Sequence, residues 1–502
     1  MRLLGITLLS VSSTLCAAAA CPDPPKYPAN CNTNAQLFQI LKTSLSPKSL
    51  LYLPGSNGFS NVTTRWSELD APTPNIVVVP ATEDDVAHTV QQANKCGVPI
   101  LAFNGVHGAS TTLGRMNSGV AISLNKLSSV KVAKDGKTAT IGGGTLSKTV
   151  TDTLWAAGKQ TVTGTCECVS YLGPALGGGH GWLQGHHGLV ADQSVSMNVV
   201  LADGTRHTIT PSSDLWWAMK GAGQNFGIVT SVTSKVYPVT QSKWAVNTLM
   251  FTGDKVEAVY QAANKYLSNL PANVINWSYW LNIAELDPKN PIIIFYIIQE
   301  GVTVVDPAYT APFQAIGPIS SVPQSGTYTD LAAWTEISLD SPPCQKAGLA
   351  NPRFPIYLRQ YDVAAQVEAY AAFAAAAGVN TIFNTSIFMF EAYPQEGVRA
   401  VDAKSTAFAF RDDNLLVSPL ITYTPNGKAL DAQAEALGNK LRNIMYKSSN
   451  RTELHAYVNY AYGNEQPQNW YGYESWRQDR LKGLKKKYDP KSQFSFFGPV
   501  VA

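Results

Sequence analysis

Residues 164–181 read GTCECVSYLGPALGGGHG, two cysteines one residue apart and then a triple glycine. On an extended chain Cys166 and Cys168 share a face, with Cα atoms roughly 6.6 Å apart, near the upper limit for a disulfide, so bonding to each other is disfavoured. Metal is poorly served too. Cys166, Cys168, His180, His186 and His187 lack the spacing of a zinc site, and no metal is expected. The bland reading is that each cysteine pairs elsewhere or packs as a small hydrophobe.

The opening MRLLGITLLSVSSTLCAAAA has an early Arg2, an apolar run and a small-residue end, the pattern of a secretory signal over 1–20. A secreted protein is therefore expected, with no membrane span and with an oxidising compartment for the six cysteines that remain, at 21, 31, 96, 166, 168 and 344. N-x-S/T triplets at Asn61, Asn276, Asn384 and Asn450 are candidate glycosylation sites. The formal charge is only +3, and the basic run Lys485, Lys486, Lys487 with Arg477, Arg480 and Lys482 reads as the solvated face of a terminal helix, so no nucleic-acid partner is expected.

Working outward from the glycines, NIVVVPATEDDVAHTVQQANKCGVPILAFNGVHG gives a strand at 76–80, Thr82 as N-cap and Val86, Val90 and Ala93 at helical spacing. Gly97 stops that helix before a strand at 100–103, making a βαβ unit. Turns at Asp135–Gly136 and Asp203–Gly204 join further strands, and DLWWAMKGAGQNFGIVTSVTSKVYP is a short helix, a glycine turn and a strand. GGGHGW and GAGQNF both miss G-x-G-x-x-G by one position, and GKT at 136–138 lacks the upstream glycine of a P-loop. Glycine turns that serve only the chain's own bends and a dinucleotide held by loop backbone both stay open.

Taken together, FNGVHG, GTCECVSYLGPALGGGHG, LADG, DLWWAMKGAGQNFGIVT and the late YVNY resemble the berberine bridge enzyme-like branch of the vanillyl-alcohol oxidase flavoproteins. The resemblance implies an α+β, PCMH-type FAD-binding domain of two subdomains over 21–240, completed by 451–502, with an α+β substrate domain on an antiparallel sheet inserted at 241–450. It implies FAD bound bicovalently through His107 and Cys166. Cys166 has the family's spacing to Gly177, and Cys168 is left as a buried or disulfide cysteine. Asn104, Gly105, Val106, Gly108, Val169, Gly173, Gly177, Gly178, Gly179, Gly181, Gly227, Ile228, Val229 and Asn459 are implied as further cofactor contacts. Cys31 and Cys96 stand where the family has a disulfide.

For catalysis the resemblance implies Tyr460 of AYVNYAYGNE as the group that takes the substrate proton. It would sit on a strand with Asn459 turned toward the flavin. Glu391 of IFMFEAYP falls where oligosaccharide oxidases of the family carry an aspartate beside their tyrosine, and an exposed strand glutamate is the alternative. Gly108 and Ala109 follow His107 where saccharide oxidases carry an aromatic. Trp277, Tyr279, Trp280, Trp334, Tyr357 and Tyr361 are core aromatics or pocket lining. The expected function is a monomeric, secreted FAD oxidase that removes a hydride from a small alcohol, phenol-derived or heterocyclic metabolite and reduces O₂ to H₂O₂. The alternatives are an oligosaccharide oxidase and a low-turnover flavin-carrying binding protein.

Overall fold

The structure is a computed structural model that describes residue 31 and residues 33–501; the signal-like segment 1–20 and Cys21 lie outside the described residues. The N-terminal βαβ reading is realised. Thr82 caps the helix Glu83–Cys96 in a reciprocal box with Asp85, an arrangement that contributes about 1 kcal/mol, and Gly97 ends it at φ +63°. The flanking strands Ile76–Val79 and Ile100–Phe103 are not neighbours: both pair in parallel with Val120–Ser123 between them, and Leu50–Tyr52 closes the sheet antiparallel. A five-stranded antiparallel sheet follows, in the order Val130–Val132, Thr138–Gly142, Ile228–Lys235, Ser194–Val200, Arg206–Ile209.

A seven-stranded antiparallel sheet occupies the middle of the chain, and its alternation decides which residues see the site. In the strand Val274–Leu281, Val274 and Trp280 pack with Phe295, Phe388 and Phe390 against the helices Val256–Leu267, Val363–Ala377 and Lys428–Ser448. Ile275, Trp277 and Tyr279 belong to the opposite face. Each large side chain so buried contributes about 1.5–3 kcal/mol, so the helix-backed face anchors the sheet and frees the other to line a cavity.

The C-terminal segment returns to the first half. Thr112 Oγ1 donates to Phe496 O at 2.8 Å, Asn225 Nδ2 to Gly498 O at 3.1 Å, and Lys485 Nζ to Asn225 O at 2.9 Å and Phe494 O at 2.8 Å. The basic run is solvated at Arg480, Lys482, Lys486 and Lys487, as expected, and is corrected at two positions. Lys485 is fully buried and paired with Asp489, and Arg477 is 1% exposed beneath Trp476, because the helix Ser475–Tyr488 spends charged side chains on satisfying backbone carbonyls. Asn276 is also corrected: it is buried within the large sheet, where no glycan can be carried, while Asn61, Asn384 and Asn450 are exposed. Cys31 pairs with Cys96, and Cys168 with Cys344, leaving Cys166 as the free thiol among the described residues. None of the described helices is long and apolar enough to cross a membrane.

Candidate active site

The site is assembled where the strand Ile100–Phe103 ends. Val106 adopts φ +53°, a conformation a β-branched residue rarely takes, and its carbonyl accepts from Trp66 N at 3.3 Å. The bend presents His107, whose ring stacks on Trp66 at 4.2 Å between centroids. His107 Nε2 donates to Pro343 O at 3.0 Å, which leaves Nδ1 with its lone pair. Burial, reinforced by the Arg353 charge, pushes His107 down to about 3, so the imidazole is neutral.

Cys166 faces the same space. Its Sγ lies 3.5 Å from both Cys168 Sγ and Cys344 Sγ, yet those two sulfurs are bonded to each other across 176 residues. The bridge ties the 164–170 loop to the segment carrying Pro343, which covers His107. One ring nitrogen of His107 and the sulfurs of Cys166 and Cys168 all fall within 4.8 Å of one another. Burial pushes the Cys166 thiol up to about 11, so it is inert toward solvent and needs an electrophile delivered to it.

Both residues open on a cavity of about 770 Å³, toward the upper end of the roughly 300–1,000 Å³ range of ligand sites. Three features fit a flat, electrophilic cofactor such as the FAD isoalloxazine. Asn104 Nδ2 and Gln224 Oε1 are buried on its lining with no partner among the described residues. At Gly105 a Cβ would sit 2.8 Å from Cys168 O, and at Gly108 3.2 Å from the Phe497 ring, so the backbone runs close with no room for side chains. A neutral imidazole and an unpaired thiol converge on one end of the space.

Two titratable groups that could move a proton line the same cavity. Tyr460 Oη donates to Glu391 Oε1 at 3.1 Å, and Tyr393 Oη to Glu391 Oε2 at 3.4 Å. Glu391 is buried on the strand Ile387–Ala392; burial pushes its carboxyl up to about 7, with Arg353 and the Tyr460 hydrogen bond pulling the other way. Burial and then the Glu391 charge hold the Tyr460 phenol well above its ordinary value. Tyr460 does not lie on a strand. Residues Val458–Tyr460 form a 3₁₀ turn, so Tyr460 points to Glu391 while Asn459 Nδ2 bonds Pro174 O at 3.0 Å and Tyr457 Oη at 2.8 Å, against the glycine loop.

His107, Cys166, Asn104, Gly105, Val106, Gly108, Val169, Gly173, Asn459, Tyr460 and Glu391 all line the one cavity. Gly177, Gly178, Gly179, Gly181, Gly227, Ile228 and Val229 do not. The first five are pressed against Asn459, Phe408, Val190, Thr163 O and Val199, and the last two pair in the five-stranded sheet with Val200 and Val199. Trp277, Tyr279 and Trp334 reach the cavity, whereas Trp280 and Tyr361 are core and Tyr357 bonds His180 Nε2 at 2.7 Å. Arg353, Arg65 and the Pro342–Pro343 turn lie in no motif that the sequence offers, and Tyr393 follows Glu391 without a signal of its own.

A profile of an FAD binding domain matches residues 74–210. The FAD-linked oxidoreductase chyH of Penicillium rubens is 54% identical over 504 residues, 100% of each chain. The solved structure of Physcomitrella patens BBE-like 1 superposes with a TM-score of 0.79 at 20% identity, covering 93% of this chain and 99% of that one. The xylooligosaccharide oxidase of Myceliophthora thermophila C1 also gives 0.79, at 19% identity, with 92% and 98% covered.

Proposed function

The chain belongs to the FAD-linked oxidoreductases, with the vanillyl-alcohol oxidase type of fold, and from that premise we propose that it is a secreted oxidase of a small alcohol, phenol-derived or heterocyclic metabolite that reduces O₂ to H₂O₂. The observation that carries this reading is the hydrogen bond from Tyr460 to the raised-pKa carboxyl of Glu391, inside the cavity that also exposes His107 and Cys166. Bound FAD supplies the acceptor for two electrons. His107 and Cys166 would hold it covalently at two points, the first with its free Nδ1 lone pair and the second with its thiol.

The protein's own part is the proton. A phenol held above its usual value is a poor base alone, so Tyr460 Oη takes the substrate hydroxyl proton as its own proton passes to Glu391. A carboxyl that titrates near 7 is matched to that task at neutral pH. The Tyr–Glu pair also suits oxidation of a sugar, but the sheet face that carries Glu391 continues into Met389, Tyr279, Ile294 and Met250, which favours a ring or an apolar body over a saccharide.

The test is an oxygen-electrode and peroxide screen of aromatic alcohols, heterocyclic alcohols and oligosaccharides on the purified protein. Peroxide formed with the first two classes supports the reading; turnover confined to oligosaccharides, or requiring a dye in place of O₂, overturns it.

A further inference from the structure

Arg353 carries its charge in the middle of the site with no hydrogen-bond or ion-pair acceptor among the described residues, although it acts at longer range on Glu391 and His107. It precedes the edge strand Ile356–Leu358, bridges to Leu420 at the end of the neighbouring strand, and is 9% exposed. Its guanidinium carbon lies 4.1 Å over the Tyr460 ring and 4.9 Å over Trp66, so the group packs against two aromatic rings. Nε is buried with no acceptor, and none of the described residues takes a hydrogen bond from the side chain or pairs with it. Neither carboxylate on the lining, Glu391 or Glu336, forms an ion pair with it, and Glu391 meets its charge only through space.

A guanidinium stays charged at any pH a folded protein survives, and burying one without an acceptor costs more than two aromatic faces return. Such a group is retained where a ligand completes it. A second unsatisfied donor lines the same cavity. Tyr279 Oη is buried, lines the cavity, has no partner among the described residues, and feels the charges of Glu391, Tyr460 and Cys166, which puts it beside the reacting groups. The sheet register sets the remaining wall: Met250, Ile294, Tyr279 and Met389 form one cross-strand row, apolar except for that hydroxyl.

Resting on the reading of this cavity as the substrate site, we propose that the substrate is a ring-bearing molecule carrying an oxyanion, a carboxylate or a comparably acidic oxygen. Arg353 binds the oxyanion edge-on, with Tyr279 as a second donor, while the ring lies on the apolar row. Arg353 is thereby the specificity-determining residue. It holds the anion on the Tyr460 side, so the carbon to be oxidised is presented to the Tyr460 hydroxyl. A neutral molecule of equal shape leaves the guanidinium buried and unanswered, and that penalty is the source of selectivity.

The test is calorimetric titration of the flavin-loaded protein with benzoate, benzamide and benzyl alcohol, which share a ring and differ in charge. Benzoate is expected to bind about 10–100-fold more tightly than the two neutral ligands. Arg353→Met is expected to abolish that preference with the flavin content and spectrum unchanged, and Arg353→Lys to restore part of it. Equal binding of benzoate and benzamide to the unaltered protein overturns the proposal, and that comparison needs no variant to fold. So does a preference that survives in Arg353→Met, or a variant that loses flavin while keeping the preference, which would assign the guanidinium to the cofactor. Because binding is read without turnover, failure here is distinct from failure to form peroxide.

Discussion

Replacing Glu391 with glutamine separates the proton's resting place from everything else in the site. The side chain is 2% exposed, and burial raises its carboxyl from 4.5 to about 7. At 1.36 kcal/mol per pKa unit, the ionised group costs the folded protein about 3 kcal/mol. Because the folded value lies above the unfolded one, the carboxyl's stabilising contribution is complete below about pH 4.5 and is lost as pH rises through 7. Glutamine does not titrate. Glu391→Gln should therefore gain thermal stability relative to the unaltered protein as pH rises from 4.5 to 8, by about 3 °C for a chain of this length. The same substitution removes the proton acceptor, so kcat/KM at pH 8 should fall by roughly 10²–10⁴-fold. The fall in kcat/KM below about pH 7, tenfold per unit in the unaltered protein, should disappear. Differential scanning calorimetry and steady-state oxygen consumption across pH 4.5–8.5 read both effects. A variant that keeps the inflection near 7 and most of its activity refutes the argument, since the proton would then stop elsewhere.

Cys166→Ala should abolish one of two attachments, leaving flavin bound through His107 with an altered absorption spectrum, as peptide mass mapping will show; an unchanged spectrum would remove Cys166 from the account. Val169 lines the cavity three residues beyond Cys166, so Val169→Leu, which adds one methylene, should slow reoxidation by O₂ in stopped flow with little change in the reductive half-reaction.

The residues legible in the sequence are those fixed by local patterns. Thr82 to Gly97 could be read because a cap, an apolar stripe and a glycine stop are neighbours in the chain. His107, Cys166 and Tyr460 could be read because they lie inside short motifs, and Glu391 because the family resemblance puts a carboxylate at its position. Arg353 could not, because its importance is a matter of what fails to contact it across three separate elements. The buried Lys485 misled for a related reason: a lysine that donates to two distant carbonyls and Asp489 looks, along the chain, the same as one in water. The turn at Val458–Tyr460 was masked by alternation of Tyr457, Asn459 and Tyr460, which fits a strand as well as a 3₁₀ helix.

The most direct test is anaerobic reduction of the flavin by a substrate found in the oxygen screen, followed by stopped flow in the unaltered protein and in Tyr460→Phe. Phenylalanine keeps the ring beneath Arg353 and removes only the hydroxyl that donates to Glu391. The account predicts normal flavin content and a reduction rate lower by roughly 10²–10⁴-fold. An unimpaired rate in Tyr460→Phe would contradict it.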